Sequence, residues 1–464
     1  MYGINVGLEI GKRALLSQQF SLNVTGHNIA NVNTPGFTRQ QAMLSATNPL
    51  RSAEGNFGTG VEVTDIRRLR TQFLDEQFRQ ESESAGRWEM LSQGWGQIER
   101  IFAEPSDTGF SSILDEFWNS WQDLGTNPDS QAARVAVKEQ ANILINALHQ
   151  STDQLNDFKR SLDNDIQKTV GYINNIANQL AALNDSIKTA ELSGHIANDL
   201  RDRRDYLIDE LATFVNIQAF EQSTGNYTVM IGSIAVVDGN EVSELETVST
   251  EQGTEVISDI QFAASGVKPD IVNGQLAGLI ESRDTLIDQR QQELDDLAQA
   301  LVEKVNQYHR EGYGLDGDTG RDFFNSETTG AADIQLDDLI IQNEGYIASS
   351  LNGEIGDNSN ALRIAGIRYE RIMEGGSATI GDFYNAVIGT IGVRTKEAQN
   401  MSENQESLVF YIENNRQALE GVSLDEEMTN MIKYEHAYEA AARVITAMDE
   451  ALDTIINGMG VVGR

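Results

Sequence analysis

Residues 28–40 read NIANVNTPGFTRQ, and this stretch decides how the chain is organised. Upstream of it Leu8, Leu15, Leu22 and Ile29 recur every seventh residue, so about eight turns of helix run into a segment that no helix can cross. Thr34-Pro35-Gly36-Phe37 fits a type II turn, in which proline sets φ at the second position and glycine supplies the positive φ at the third. Asn31 and Asn33 stand where they can cap the helix that has just ended. The N-terminal helix therefore stops hard and the chain changes direction.

The other end repeats the pattern. Leu424, Met431, Tyr438, Ile445 and Leu452 are also heptad-spaced, with Tyr434, Ala441, Met448 and Ile455 flanking them three residues on. Two arrangements satisfy this spacing: each end forms one strand of a coiled coil, or each is an amphipathic helix docked separately on the body. Their placement at the two termini favours pairing, with each other and with other copies of the chain. Ser423 reads as the N-cap of the C-terminal helix and Glu426 as its capping-box partner, with acidic residues suited to a helix N-terminus.

Between the ends, all five prolines fall between apolar-periodic segments, and none follows Pro269. Long helices are permitted. Leu155, Phe158, Leu162, Ile166, Val170, Ile173, Ile176, Leu180, Leu183 and Ile187 alternate three- and four-residue steps, which is one face of a rod. Further rods follow at Leu294–Tyr308 and Tyr384–Ile412. The period changes to two at Tyr227, Val229 and Ile231, among the turn signals STGN, GS and DGN, as in a β-meander. The reading is a mainly α, elongated multidomain chain with a β insertion. Its parts are a terminal coiled-coil unit (1–33 with 424–464), a long-helix bundle body (34–213 with 275–423) and a small outer β domain (214–274). The Gly/Asn/Asp-rich stretch 315–360 is either β or loop, and part of it belongs with the β domain if β.

Composition narrows the function. A formal net charge of −37 repels phosphates and anionic headgroups, which argues against nucleic acid or membrane partners. There is no cysteine, which removes disulfides, thiolate metal ligands and thiol nucleophiles. No segment has the apolar run of a secretory signal or a membrane span. Catalytic signatures are missing: there is no HExxH, no GxSxG and no GxxxxGK[ST], and the five histidines are scattered and read as surface or interface residues. The one site-like pattern is DGDTGRDFFNSE, which places Asp316, Asp318, Asp322 and Glu327 near ligand positions of a calcium loop. Arg321, however, stands where the sharp turn of such a loop wants glycine. A structural Asp/Gly turn without metal is the expectation, with no cofactor and no catalytic residue.

The N-I-A-N-x-x-T-P-G-F signature, carried by Asn28, Ala30, Asn31, Thr34, Pro35, Gly36 and Phe37, resembles that of the bacterial flagellar axial proteins of the rod, hook and hook-associated group. GTGVEVTDIRR (58–68), NDLRDRRDYLIDELA (198–212), GQLAGLIESRD (274–284), YGLDGDTGRDFF (313–324), GDNSNA (356–361) and GVSLDEEMTNMIKYEHAYEAAARVI (421–445) extend the resemblance over essentially the whole chain, toward its hook-associated branch. That resemblance implies a non-enzymatic structural role joining hook to filament, with another rod or hook component as the alternative and a flagellar wall hydrolase as a more distant one. It implies export without a cleaved signal, an extracellular location, and partners comprising the hook protein, the second hook-associated junction protein, an export chaperone and a ring of further copies. Leu8, Leu15, Leu22, Ile29, Leu424, Met431, Tyr438, Ile445 and Leu452 are then the expected assembly interface.

Overall fold

A computed structural model describes residues 2–458 apart from 53–54, 103, 105, 107–108, 193, 223–225 and 253–254; residues 459–464 of the expected terminal unit lie outside the described residues. Helix α1 (Tyr2–Ala30) leads into a long antiparallel ribbon, in which β1 (Gln40–Ala46) pairs with β4 (Val61–Arg68) and, beyond it, β2 (Leu50–Ser52) pairs with β3 (Gly55–Phe57). This ribbon corrects the expectation of helical bundle from residue 34 onward. It escaped the period-two test because a bulge between Met43 and Leu44 breaks the alternation and one ribbon has no second sheet to hide a face.

The body follows as α2 (Gln72–Phe102), α3 (Phe110–Thr126), α4 (Gln131–Glu191) and α5 (Asn198–Phe214). The 61 residues of α4 span roughly 90 Å. Its start is fixed by Ser130, whose hydroxyl accepts from Ala133 N–H at 3.3 Å. Of the apolar rod read from the sequence, Leu155, Leu162, Ile166, Val170, Ile173, Ile176, Leu180 and Ile187 are buried. Burying Leu- or Ile-sized side chains contributes about 1.5–3 kcal/mol each, so tertiary packing rather than helix propensity holds this rod straight.

The expected β insertion is present. Strands β5 (Gln218–Glu221), β6 (Tyr227–Ile231), β7 (Ile234–Asp238) and β8 (Glu241–Val242) make one antiparallel sheet, and β9 (Leu245–Gln252) with β10 (Glu255–Phe262) make a separate hairpin. Asn174 of α4 holds the hairpin by a reciprocal pair, donating to Leu245 O at 2.7 Å and accepting from Leu245 N–H at 2.9 Å. Helices α6 (Gly274–Glu281) and α7 (Asp288–Glu311) return the chain to the body.

The 315–360 stretch is neither strand nor open loop. It contains α8 (Asp338–Gln342) and isolated bridges such as Phe324 to Leu336, and it wraps an aromatic cluster in which Phe323 lies 5.1 Å from Trp121 and 4.9 Å from Phe324. His309 is buried here, against the expectation of a surface or interface histidine. Its Nδ1 bonds Arg321 O at 2.8 Å while Nε2 accepts from Ala348 N–H at 2.9 Å, which fixes the neutral ring. Burial pushes its pKa down to about 4. Helix α9 (Ser359–Ala365) follows, then α10 (Ile380–Glu420), opened by a reciprocal capping box between Thr379 and Asp382 and packed along α2, and finally α11 (Leu424–Asp453), which lies against α1.

Candidate assembly interface

Helices α1 and α11 run antiparallel. Near one end Gly7 faces Met448 and Gly11 faces Ile445, so closely that an added Cβ would come within 2.8 Å of either side chain. At the other end Asn28 reaches Glu427. Glycine at two positions a turn apart is what lets the backbones approach there. The line of α11 facing inward is Glu427, Tyr434, Ala441, Met448 and Ile455, the flanking heptad, joined by the half-buried Tyr438, Ile445 and Leu452. Leu8, Leu15, Leu22 and Ile29 of α1 are likewise half-buried. Leu424 and Met431, by contrast, stay 47% and 37% exposed. Within the monomer, then, Tyr438, Ile445 and Leu452 turn toward α1, whereas Leu424 and Met431 of the same heptad line turn outward. The polar Glu427 takes the buried place because it has a partner there.

That partner set forms a clasp. Asn28, only 1% exposed, donates to Gln40 O at 2.9 Å and to Glu427 Oε2 at 3.0 Å, and its Oδ1 accepts from Gln40 N–H at 3.0 Å. Arg39 then bridges Glu426 at 2.6 Å and Glu427 at 2.7 Å. Desolvation works against the Arg39 charge, but the two carboxylates more than offset it and hold its pKa above the ordinary arginine value. The expected capping box is therefore corrected: Ser423 occupies the N-cap position but makes no side-chain cap bond. Its predicted partner Glu426 is taken by Arg39, so the carboxylate meets a full cation at 2.6 Å in place of the single backbone N–H that a capping box offers.

The TPGF turn has the expected geometry. Gly36 has φ of 75°, and Phe37 N–H donates to Thr34 O at 3.1 Å. Asn31 caps the helix by donating to His27 O at 3.0 Å, while Asn33 makes no side-chain hydrogen bond among the described residues. Ala30 closes α1, and Thr34 and Pro35 face solvent. The turn rests on α5: a Cβ on Gly36 would lie 2.8 Å from Tyr206 Cβ, and Thr38 N–H donates to Asp202 at 3.0 Å.

Helix α5 presents Asp199, Asp202, Asp205 and Asp209, spaced three and four apart, as an acidic face. Each carboxylate meets a donor from another element. Asp199 accepts from Gln40 Nε2 at 2.7 Å. Arg68 bridges Asp202 and Asp205 at 2.8 Å each, Arg70 reaches Asp75 at 2.6 Å, Arg79 meets Asp209 at 2.7 Å, and Arg416 of α10 meets Asp209 at 2.6 Å. Burial alone would raise the Asp205 carboxyl, yet Arg70 and Arg68 hold it below the usual range. For Asp202 burial wins and the pKa rises. Removing one member of such a buried lattice strands its partners, so it fixes the orientation of the ribbon, α2, α5 and α10 where they meet the terminal pair. Sequence reading missed these residues as a site, although the three-four spacing of aspartates on α5 is a signal that the acidic face has a docking partner.

The DGDTGRDFFNSE loop does not gather its acids. Arg321 pairs with Asp316 at 2.6 Å and Asp318 at 3.0 Å, Asp322 pairs with Arg310 at 2.9 Å, and Glu327 is exposed. Among the described residues no group of three such side chains is placed to hold a metal ion.

Comparison with known proteins agrees with this construction. Residues 95–324 match the family described as flagellar hook-associated protein FlgK helical domain, 417–458 the flagellar basal body rod FlgEFG protein C-terminal family, and 8–38 the flagella basal body rod protein family. The chain is 36% identical to flagellar hook-associated protein 1 of Bacillus subtilis, over 99% of both chains. It is 26% identical to the protein of that name from Salmonella typhimurium, over 96% of this chain and 98% of the relative. The fold is similar to that of the flagellar hook junction protein FlgK from Burkholderia pseudomallei, with a TM-score of 0.64 at 16% identity, covering 74% of this chain and all of that one. With its terminal helices paired and its relatives aligned from end to end, the chain belongs to the flagellar hook-associated protein 1 family.

Proposed function

We propose that this chain is a structural joint between hook and filament, outside the cell, and that it works by covering the free face of its terminal helix pair with neighbouring subunits. It is not an enzyme. Its partners, in this reading, are the hook protein on one side, the second hook-associated junction protein on the other and further copies around the axis, with an export chaperone engaged beforehand. The observation that carries the reading is a ladder on α11: Leu424, Met428 and Ile432 occupy successive turns of one face and are 47%, 53% and 53% exposed. An apolar row of that kind on a free monomer marks a contact surface. The assembly residues accordingly comprise the outward ladder together with Leu8, Leu15, Leu22, Ile29, Met431, Tyr438, Ile445 and Leu452. The units proposed are 1–33 with 424–464 at the axis, the helical body with the 40–68 ribbon attached to it, and the 214–274 β domain facing outward.

The test is deletion and complementation. Cells without the chain are expected to carry bare hooks and to release filament subunits into the medium, and Ile432→Asp is expected not to rescue them although its monomer melts normally. Full filaments on the deletion strain would end the proposal.

A further inference from the structure

The 40–68 ribbon and α1 carry two apolar features that do not meet. One is a groove of about 430 Å³ between α1 and β4, whose apolar lining includes Leu16, Phe20, Val61, Val63 and Ile196. Leu16, Phe20 and Ile196 are each about half exposed, at 52%, 49% and 44%. The other is the tip of the ribbon. Leu50 and Phe57 sit directly opposite each other across β2 and β3 and so share one face, where they remain 43% and 50% exposed. A two-stranded ribbon without a third strand or a covering helix gains little by itself. Nothing within the described chain buries this pair.

The chain does not fill its own groove. Gly60 lies against Ile10 and Arg13 of α1, and Ser17 Oγ donates to Val61 O at 3.3 Å, so the ribbon lies along α1 and heads toward its beginning. The tip lies on one side of Gly60 and the groove, at Val61–Ile66, on the other. Knob and groove are therefore displaced from each other along the helix axis. Of the charged groups on the groove, Arg13 is paired with Glu9 at 3.0 Å and Asp65 with Arg67 at 3.2 Å, which leaves Glu62 as a carboxylate with no ion-pair partner among the described residues; Arg51, beside Leu50 at the tip, likewise has none.

We propose that the ribbon tip of one copy, Leu50 with Phe57, seats in the α1–β4 groove of the next copy. This contact is heterologous, knob on one subunit and hole on its neighbour, and its repetition closes a ring or generates a helix. It rests on the self-association in the reading above and specifies the surface that makes it. It is continuous with the terminal pair, since Leu16 and Phe20 belong to the same helix that α11 covers on its other side.

The absence of cysteine makes the test direct. Full-length chain carrying both Phe20→Cys and Phe57→Cys is expressed in the deletion strain, and intact flagella are oxidised. The expected product is a ladder of covalently linked copies, with monomer alone from either single variant; Leu16→Cys with Leu50→Cys samples the same contact independently. Monomer alone from both double variants would overturn the proposal, as would a link within one chain, or dimers from Phe57→Cys by itself, which place tip on tip. Phe57→Ser is expected to lower the number of copies retained on hooks roughly tenfold or more without changing the monomer melting temperature. Glu62→Arg is expected to weaken retention and Arg51→Glu to restore it in the same chain; unchanged retention in Phe57→Ser counts against the contact. Labelling the chain by immunoelectron microscopy separates the two readings. A ladder from copies located away from the junction would leave the contact standing and remove the junction assignment, whereas labelled junctions without a ladder do the reverse.

Discussion

Replacing Asn28 by Leu removes three hydrogen bonds at once from a site that is 1% exposed. Leucine is close in volume, so the loss is polar rather than a cavity. Gln40 N–H and Gln40 O lose their partner where water does not replace it, and each orphaned group costs about 1–3 kcal/mol. Glu427 keeps Arg39 and loses less. Because the three bonds share one side chain they do not add independently, and about 3–5 kcal/mol is the reasonable total. The whole protein need not unfold to relieve this. The clasp end of α1 and α11 can lift from the ribbon while the body, with its separate core around Trp121, Phe323 and α4, stays intact. The expectation is a local effect: amide exchange in residues 20–32 and 424–434 accelerates a hundredfold or more, and the main melting transition shifts little. Asn28→Asp, which keeps the acceptor for Gln40 N–H but sets a carboxylate against Glu427, is expected to fall at least partway along the same scale. Hydrogen–deuterium exchange by mass spectrometry reads both. If exchange in those segments changes less than tenfold in Asn28→Leu, the clasp does not hold the helix pair and the reasoning fails.

Three further outcomes follow from other parts of the structure. Gly36→Ala places a side chain at φ of 75° and against Tyr206; it is expected to cost about 1–3 kcal/mol, seen as faster exchange of Thr38 and Gln40 amides, and wild-type exchange there would contradict the docking of the turn. Ile445→Asp sets a carboxylate against Gly11, so α1 and α11 are expected to become protease-sensitive while the body melts as before; loss of cooperative melting would place α11 in the body core. For His309, whose pKa falls from 6.5 to about 4, the folded state refuses a proton that the unfolded chain accepts, so its stabilisation is complete above pH 6.5 and drains away, by up to about 3 kcal/mol, as pH falls toward 4. Glu83 has the opposite sign: burial raises it to about 7, so its contribution is complete below 4.5 and is lost as pH rises through 7. In a Glu83→Gln background the melting temperature is therefore expected to drop further from pH 7 to pH 5 than in the same chain carrying His309→Gln as well, since the other raised carboxyls are common to both, and equal profiles would refute the neutral, buried His309.

What the sequence disclosed was what depends on local spacing. The TPGF turn needs only four consecutive residues, and the α4 rod and terminal heptads repeat within single helices, so each shows in a window of the chain. The clasp does not, because Asn28 and Glu427 are 399 residues apart and Arg39 and Glu427 are 388 apart. Glu427 read locally is an ordinary helix N-terminal acid. The buried His309 was hidden for a related reason: its partners are backbone groups of Arg321 and Ala348, and main-chain donors leave no mark in composition. The Leu424 and Met431 positions show the limit of heptad reading, which gives the period of a seam but not which of two adjacent lines a polar partner pulls inward.

The pairing of the first helix with the last also orders events in time. Bringing Asn28 to Glu427 closes almost the entire chain into one loop, at an entropic cost of about 5 kcal/mol on the logarithmic scaling of loop length. Parts of the body close far shorter loops, as where α3 packs on α4 and α4 on α5, and these meet a smaller barrier. Among the described helix pairs α1 with α11 spans the greatest sequence separation, ahead of α2 with α10, so α1 stays without its mate until α11 is present and this contact is expected to form late in folding.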